Sequence, residues 1–543
     1  MTVLPMESVR RALLILVAAI ALLSSCRSRS GGDESLSVFR YNEAGGILTL
    51  DPIYAKDLPH IWVCNQLFNS LVSFDDSMNV VPAIARAWEI SDDGLEYTFH
   101  LRDDVLFHQN EAFAQRCVTA NDVKYSFERV VNKSLSSPGS WIFAQVEHDD
   151  SGYAFFAKDD STFVIRLANP FPPFLGILTM TYASIVPREA VEAFGDDFRK
   201  NPVGTGPFKF QYWKEGVKLV VRKNPDYFET DAENNKLPYI DAIAVSFLID
   251  KQVAFMEFVK GKFDFMSGID ARYKDELLTF DGNLREKYYD KIYLVKQPFL
   301  NTEYFTFNLE MQKDLGKERA LALRRAVNMS IDREKMLRYL RNGIGIPAYG
   351  GIIPFGLQGY NPTCGYTYQP KLAQQLVNDY DLGDEEVSLS TTAEYADIGK
   401  FVQSQVEAVG LKCRMEVLPP ATMRSMRATG SLPFFRSSWV ADYPDAENYL
   451  SLFTSSNFSP DGPNYSHYSN MVFDELYQKS MLCNNMEQRA AFYSVMDSIA
   501  MQDAPVVVLF YDEVLRFVGN RVSGLGSNAV NMLNLKNVRL DDK

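Results

Sequence analysis

Asp442 stands at the end of an apolar run. Phe434, Phe435, Trp439 and Val440 precede it, and Tyr443-Pro444 follow it. The run reads as a strand. Pro444 has no N–H to give to a sheet and biases its neighbour away from helix, so the chain turns there and enters a short helix from about Ala446. A carboxylate at a strand end beside an indole suits the holding of a cation, by charge and a charge-assisted hydrogen bond against an apolar or cation–π wall. Strand ends of open α/β sheets are where ligands gather. The same residues also suit a turn-capping acid next to a core tryptophan, and spacing alone leaves both readings open. Arg436 lies on the same strand, and alternation does not tell which face it takes.

Little else in the chain points to catalysis. The five histidines are His60, His100, His108, His148 and His467. None sits in HExxH, and no GxSxG elbow occurs. Carboxylates are plentiful, so counting does not exclude a glycosidase-like pair, but no motif favours one. The cysteines are Cys26, Cys64, Cys117, Cys364, Cys413 and Cys483, with no CxxC or CxxxC spacing, so zinc is not expected. Most read as small buried apolar residues, and one disulfide stays open. The glycine-rich Gly204-Thr205-Gly206 is not followed by Lys-Ser/Thr, which removes a phosphate loop. The expectation is a protein that is not an enzyme and carries no metal or cofactor.

The 543 residues exceed one ordinary core and imply two or three lobes. The chain is 46% hydrophobic and 23% charged, hence globular. A formal net charge of −14 argues against nucleic acid as a partner. Strand and helix patterns alternate throughout, which implies α/β lobes. Pro59 opens a helix whose apolar face carries Ile61, Cys64, Leu67, Phe68 and Leu71. Leu372 to Tyr380, Ile398 to Ala408 and Met486 to Met501 read as helices, and Pro505 to Tyr511 as a buried strand.

Residues 1–25 form a signal peptide: Arg10 and Arg11 precede an apolar run, Ala12 to Leu23, too short for a comfortable membrane span. Leu23-Ser24-Ser25-Cys26 resembles a bacterial lipobox, which makes Cys26 the lipidated first residue of the mature chain. Residues 26–35 then form a polar tether, basic at its start.

The segment from Val81 to Ser126 carries the most specific pattern. Pro82, Ala85 and Trp88 precede the hairpin signal Asp93-Gly94. Tyr97, Phe99 and Leu101 alternate, and Arg102, Val105, Phe107 and His108 come next. Thr119-Ala120-Asn121-Asp122 reads as a capping box before Val123 and Ser126. In this order the residues resemble the signature of family 5 extracellular solute-binding proteins, the dipeptide- and oligopeptide-binding components of ABC importers. Ile84 replaces the usual Leu, and Gln109-Asn110 stand where the family has Asp-Gly. Asn201-Pro202-Val203-Gly204-Thr205-Gly206-Pro207-Phe208, Asn224 to Phe228, and Leu323 to Arg333 match further segments, with Asp332 reading as a helix N-cap.

The resemblance implies a type II periplasmic-binding-protein fold, α/β, with two lobes, a hinge and an inserted extra domain. Lobe I is expected at 36–72, 200–295 and 504–543, the extra domain at 73–199, and lobe II at 296–503. Trp439-Val440-Ala441-Asp442 resembles the family's W-x-x-D segment, which implies that Asp442 meets a peptide's α-ammonium and that Trp439, Val440, Ala441 and Tyr443 line the site. Lys56, Asp57 and Leu58 correspond to a loop giving the ligand backbone contacts. Lys56 reads equally as a ligand-carboxylate contact or a solvated side chain. The implied partners are a short peptide and an ABC permease with its ATPases. The chain is expected to be a monomer, anchored through Cys26 on the periplasmic side of a bacterial membrane, or on the outer face where there is no outer membrane. Relatives that take nickel chelates, opines or oligosaccharides, and sensory binding proteins, remain alternatives.

Overall fold

The computed structural model describes residues 36–268 and 273–541. Cys26 and the tether therefore lie outside the described residues. The main compact unit begins at Val38 and runs to the end of the chain.

One sheet of 11 strands organises this unit. At one end, Phe208–Lys214, Lys218–Lys223, Ala242–Ser246, Val38–Asn42 and Phe265–Ser267 lie side by side in that order. Val38–Asn42 runs parallel to both of its neighbours. At the other end lie Phe434–Val440, Glu386–Thr391 and Lys412–Val417, again parallel to one another. Two long antiparallel strands, Ile292–Phe307 and Val506–Gly519, join these ends. Their register shifts between Pro298 and Thr302 and again between Glu303 and Tyr304. A separate four-stranded sheet contains Ala85–Ile90, Glu96–Leu101, Thr162–Arg166 and Phe155–Ala157.

The elements start where their residue types dictate. Asp57 caps the helix Leu58–Leu67 by accepting from the His60 N–H, and Pro59 sits in its first turn, where no N–H is needed. Thr119 and Asp122 form the reciprocal capping box of Ala120–Val131. Asp332 caps Arg333–Arg341 through the Lys335 N–H. The strand Val506–Gly519 runs well past the expected end at Tyr511. Asp512 and Glu513 interrupt the apolar run without ending the strand, because each carboxylate has a partner: Arg341 at 2.7 Å and the Gly345 N–H at 2.8 Å.

Two signature segments meet at His108. Its backbone N–H donates to Gly204 O at 2.7 Å, and its Nε2 bonds Gly206 O at 3.0 Å. Nδ1 accepts from the Gly204 N–H at 3.3 Å, which leaves the proton on Nε2. Burial pushes the imidazole pKa down to about 4, against the opposing effect of the Gly206 bond. The glycines are required by contact: a Cβ at Gly204 would stand 2.1 Å from Leu67 O.

Arg129 pairs with Asp51 at 2.5 Å with both side chains nearly out of water. All five described cysteines are free thiols. Only Cys64 and Cys413 are buried; Cys117, Cys364 and Cys483 are half-exposed, which corrects the expectation that most would be buried. The latter three lie in loops and at a helix end, where less protein surrounds the chain.

Candidate functional site

Phe434–Val440 forms a strand, as its pattern predicts, and Asp442 lies two residues beyond it. On one side the strand pairs along its whole length with Ile292–Phe307, from Phe434↔Phe307 to Val440↔Asn301. On the other side its strand pairing stops at Phe435↔Ser390. From Arg436 to Val440 it therefore has a strand neighbour on one flank only. The Ala441 N–H continues the paired side, donating to Leu300 O at 2.9 Å.

The turn after the strand is set by Asn448, on the short helix Glu447–Leu450. Asn448 Oδ1 accepts from the Trp439 indole N–H at 2.7 Å and from the Asp442 backbone N–H at 3.2 Å. Trp439 is thus held by its polar edge, half-buried against the core that includes Tyr449 and Tyr304. The Asp442 residue is exposed, and no cation pairs with its carboxylate among the described residues. Surrounding protein still removes enough water to push its pKa above the ordinary aspartate value, against a hydrogen bond from the Asn448 side chain.

Tyr443 points the other way. It is buried and belongs to the core built on Phe39, Phe99 and Phe127. Its ring lies 6.4 Å from Trp141 and 6.2 Å edge-on from Phe171, centroid to centroid. Its hydroxyl bonds the buried Glu447 carboxylate, which also accepts from Tyr477. Burial pushes the Glu447 pKa up, against both phenol bonds. Tyr443, which the resemblance placed at the ligand site, packs in this core with its hydroxyl bonded to Glu447. Val440 is half-exposed and Ala441 partly buried beside it.

Near the start of the unit, Lys56 and Asp57 are exposed and Leu58 is half-buried. The Asp57 carboxylate caps its helix and bonds His60 Nδ1. His60 Nε2 accepts from the Leu48 N–H at 3.0 Å, so the proton on Nδ1 points at Asp57. Asp57 and Asp442 converge on one group that sequence did not single out, Tyr182. Its phenol pKa is raised by burial first, then by the charges of Asp57 and Asp442. Glu43 joins this acidic set: burial raises its pKa, the Gly45 N–H bond lowers it, and Asp57 raises it again. A signal for Glu43 existed, since it directly follows the end of a parallel strand. Nothing in sequence marked Tyr182.

Arg436 faces Glu303, which it grips with both arms at 2.6 to 3.1 Å, and its guanidinium lies 3.5 Å from the Tyr395 ring centroid. A cavity of about 810 Å3 opens beside Tyr54, Tyr125 and Asp196. Its arginines are already engaged, Arg129 with Asp51, Arg188 with Glu192 and Arg199 with Glu215. Among the described residues, no group of three His, Cys, Asp or Glu side chains is placed to hold a metal ion. No described helix is long and apolar enough to cross a membrane.

One sheet with parallel pairs in both halves, joined by two long antiparallel strands, matches the two-lobed α/β type II class. The chain belongs to the bacterial extracellular solute-binding proteins, family 5, whose "Middle" description matches residues 79–461. A dipeptide-binding protein of Escherichia coli strain K12 is 25% identical over 497 residues, covering 88% of this chain and 89% of that protein. Heme-binding protein A of Haemophilus influenzae is 26% identical over 548 residues, covering 95% and 96%. Among solved structures, the unliganded open form of the periplasmic murein tripeptide binding protein MppA superposes with a TM-score of 0.81 at 22% identity, covering 93% of this chain and 98% of that one. The Helicobacter pylori protein DppA in complex with the peptide STSA gives 0.68 at 25% identity, covering 94% and 100%.

Proposed function

We propose that this chain captures short peptides between its two lobes and delivers them to an ABC permease driven by its ATPases. The observation that carries the reading is the pairing of two features on one segment. Among the described residues, Asp442 offers a carboxylate that no cation pairs with, and Arg436 to Val440 offer a strand flank without a strand neighbour. A peptide's ammonium needs the first, because burying it unpaired is costly. Its main chain needs the second, because an extended segment satisfies its N–H and C=O groups by strand addition.

Identity to relatives does not choose the ligand, since the dipeptide-binding and heme-binding relatives stand equally far away. We assign lobe I to 36–72, 200–295 and 504–543, the extra domain to 73–199 and lobe II to 296–503. Closure bends the strand pair where its register shifts, near Pro298 to Tyr304. The protein acts as a monomeric binding component without catalysis, held on the periplasmic side of the membrane by a lipid on Cys26.

Calorimetry with one tripeptide, free and N-acetylated, tests the reading. It requires the free form to bind and the acetylated form to lose at least about tenfold in affinity. Equal affinity contradicts it.

A further inference from the structure

Asp442 and Tyr443 are neighbours in one turn, and hydrogen bonds tie that turn at several points. The Asp442 N–H donates to Asn448 at 3.2 Å, the Tyr443 hydroxyl bonds Glu447, and the Asp445 N–H donates to Tyr443 O at 2.9 Å. The Asp445 carboxylate accepts from the Glu447 N–H at 3.0 Å and from Arg489 at 3.0 Å, and both side chains of that ion pair are largely out of water. A turn held this way carries the Asp442 and Tyr443 side chains as one body.

The Tyr443 ring reaches beyond lobe II. Among the described residues it is the one side chain from 296–503 that is buried in the core built on Phe39, Phe99 and Phe127. Its walls there are Trp141 at 6.4 Å and Phe171 at 6.2 Å, within the range of roughly 4.5–7 Å at which aromatic pairs attract. Both walls are anchored in the extra domain. Ile142 and Phe143, next to Trp141, are buried, and Phe143 packs on Phe127 at 4.7 Å. Phe171 O accepts from the Tyr97 hydroxyl at 3.4 Å. Tyr182 belongs to the same patch: a Cβ at Gly139, two residues before Trp141, would stand 2.3 Å from its Cγ. Neighbours in the turn therefore meet neighbours in the patch. The charge of Asp442 reaches Tyr182, and the ring of Tyr443 meets Trp141.

We infer that the extra domain sets the place of the ligand-binding acid: Tyr443, held between Trp141 and Phe171, is a positioning residue that fixes where Asp442 presents its carboxylate. The inference rests on the peptide reading and the lobe boundaries above. A charge-assisted hydrogen bond spans only about 2.7–2.9 Å, so a turn released at Tyr443 weakens the contact to the ammonium and spares the contacts to the ligand's main chain.

The test is calorimetry with one tripeptide, free and N-acetylated, on the wild-type protein and on variants of the two walls. The wild type is expected to bind the free form at least about tenfold tighter than the acetylated form. Trp141 is 38% exposed, so its removal spares the core. Trp141→Ala is expected to cut the ratio to about threefold or less, with the acetylated form bound as in the wild type. Trp141→Phe, which keeps a ring against Tyr443, is expected to restore the ratio. Phe171→Ala is expected to act as Trp141→Ala does, and if it fails to fold, the two Trp141 variants carry the test. A wild-type ratio that survives Trp141→Ala overturns the inference and leaves ammonium capture by Asp442 standing, as does an equal loss for both forms. A ratio near one in the wild type, or no binding of either form, removes the peptide reading and the inference with it.

Discussion

Burial first, and then the charges of Asp57 and Asp442, which lie far apart in the chain, raise the pKa of one phenol, that of Tyr182. Asp57 already serves its own helix and His60, whereas among the described residues the Asp442 carboxylate has the Asn448 amide alone. Of the two acids, Asp442 is therefore the one available to an incoming cation.

Replacing Asp442 by Asn keeps the shape and removes the charge. Affinity for a free tripeptide should fall by about 1.5–3 kcal/mol, while an N-acetylated peptide should be indifferent to the change. Binding should also weaken with acid. The Asp442 pKa is raised, so protonation, and with it loss of affinity, should set in at higher pH than for an ordinary aspartate. Titration calorimetry of the wild type and Asp442→Asn across acidic pH reads both effects.

His108 predicts a pH-dependent stability. Its folded pKa lies near 4, below the value near 6.5 of an unfolded histidine. The unfolded chain therefore binds more protons between these values. The stabilisation is fully present above about pH 6.5 and is lost as pH falls towards 4, by on the order of 3 kcal/mol. Urea melts at pH 7 and pH 4.5 should show this loss, and His108→Gln should show a smaller difference between the two.

The buried pair Arg129–Asp51 predicts an asymmetry. Asp51→Ala leaves a guanidinium buried without its partner and should cost about 3–5 kcal/mol. Asp51→Ala combined with Arg129→Leu should cost less than Asp51→Ala alone. Denaturant unfolding of the two single variants and the double variant gives the coupling.

Tyr443 separates packing from hydrogen bonding. Tyr443→Ala removes a ring held by Trp141 and Phe171 and should destabilise by about 3–5 kcal/mol. Tyr443→Phe keeps the ring and loses only the bond to Glu447, and should cost about 1–3 kcal/mol. Thermal melts of both variants distinguish the contributions.

Much of the framework was legible. The caps at Thr119 and Asp332, the helix start at Pro59, the turn at Gly94 and the strand leading to Asp442 derive from local chemistry, and the structure has them. Local pattern misled where partners come from far away. The strand Val506–Gly519 outran its apolar stretch because Arg341 and Gly345 satisfy its acids. Tyr443 packs against Trp141 and Phe171 from a distant segment, contacts that no spacing rule reports. Tyr182 and the Arg436–Glu303 pair were invisible for the same reason: each is defined by a residue on another segment.

The central claim is that the cleft binds short peptides. Native mass spectrometry of protein purified from its own membranes without refolding, followed by denaturation and identification of the released molecules, tests it most directly. The account predicts a set of short peptides with free amino termini. Release of a single non-peptide solute, or of a metal chelate, would contradict it and leave Asp442 with a different role.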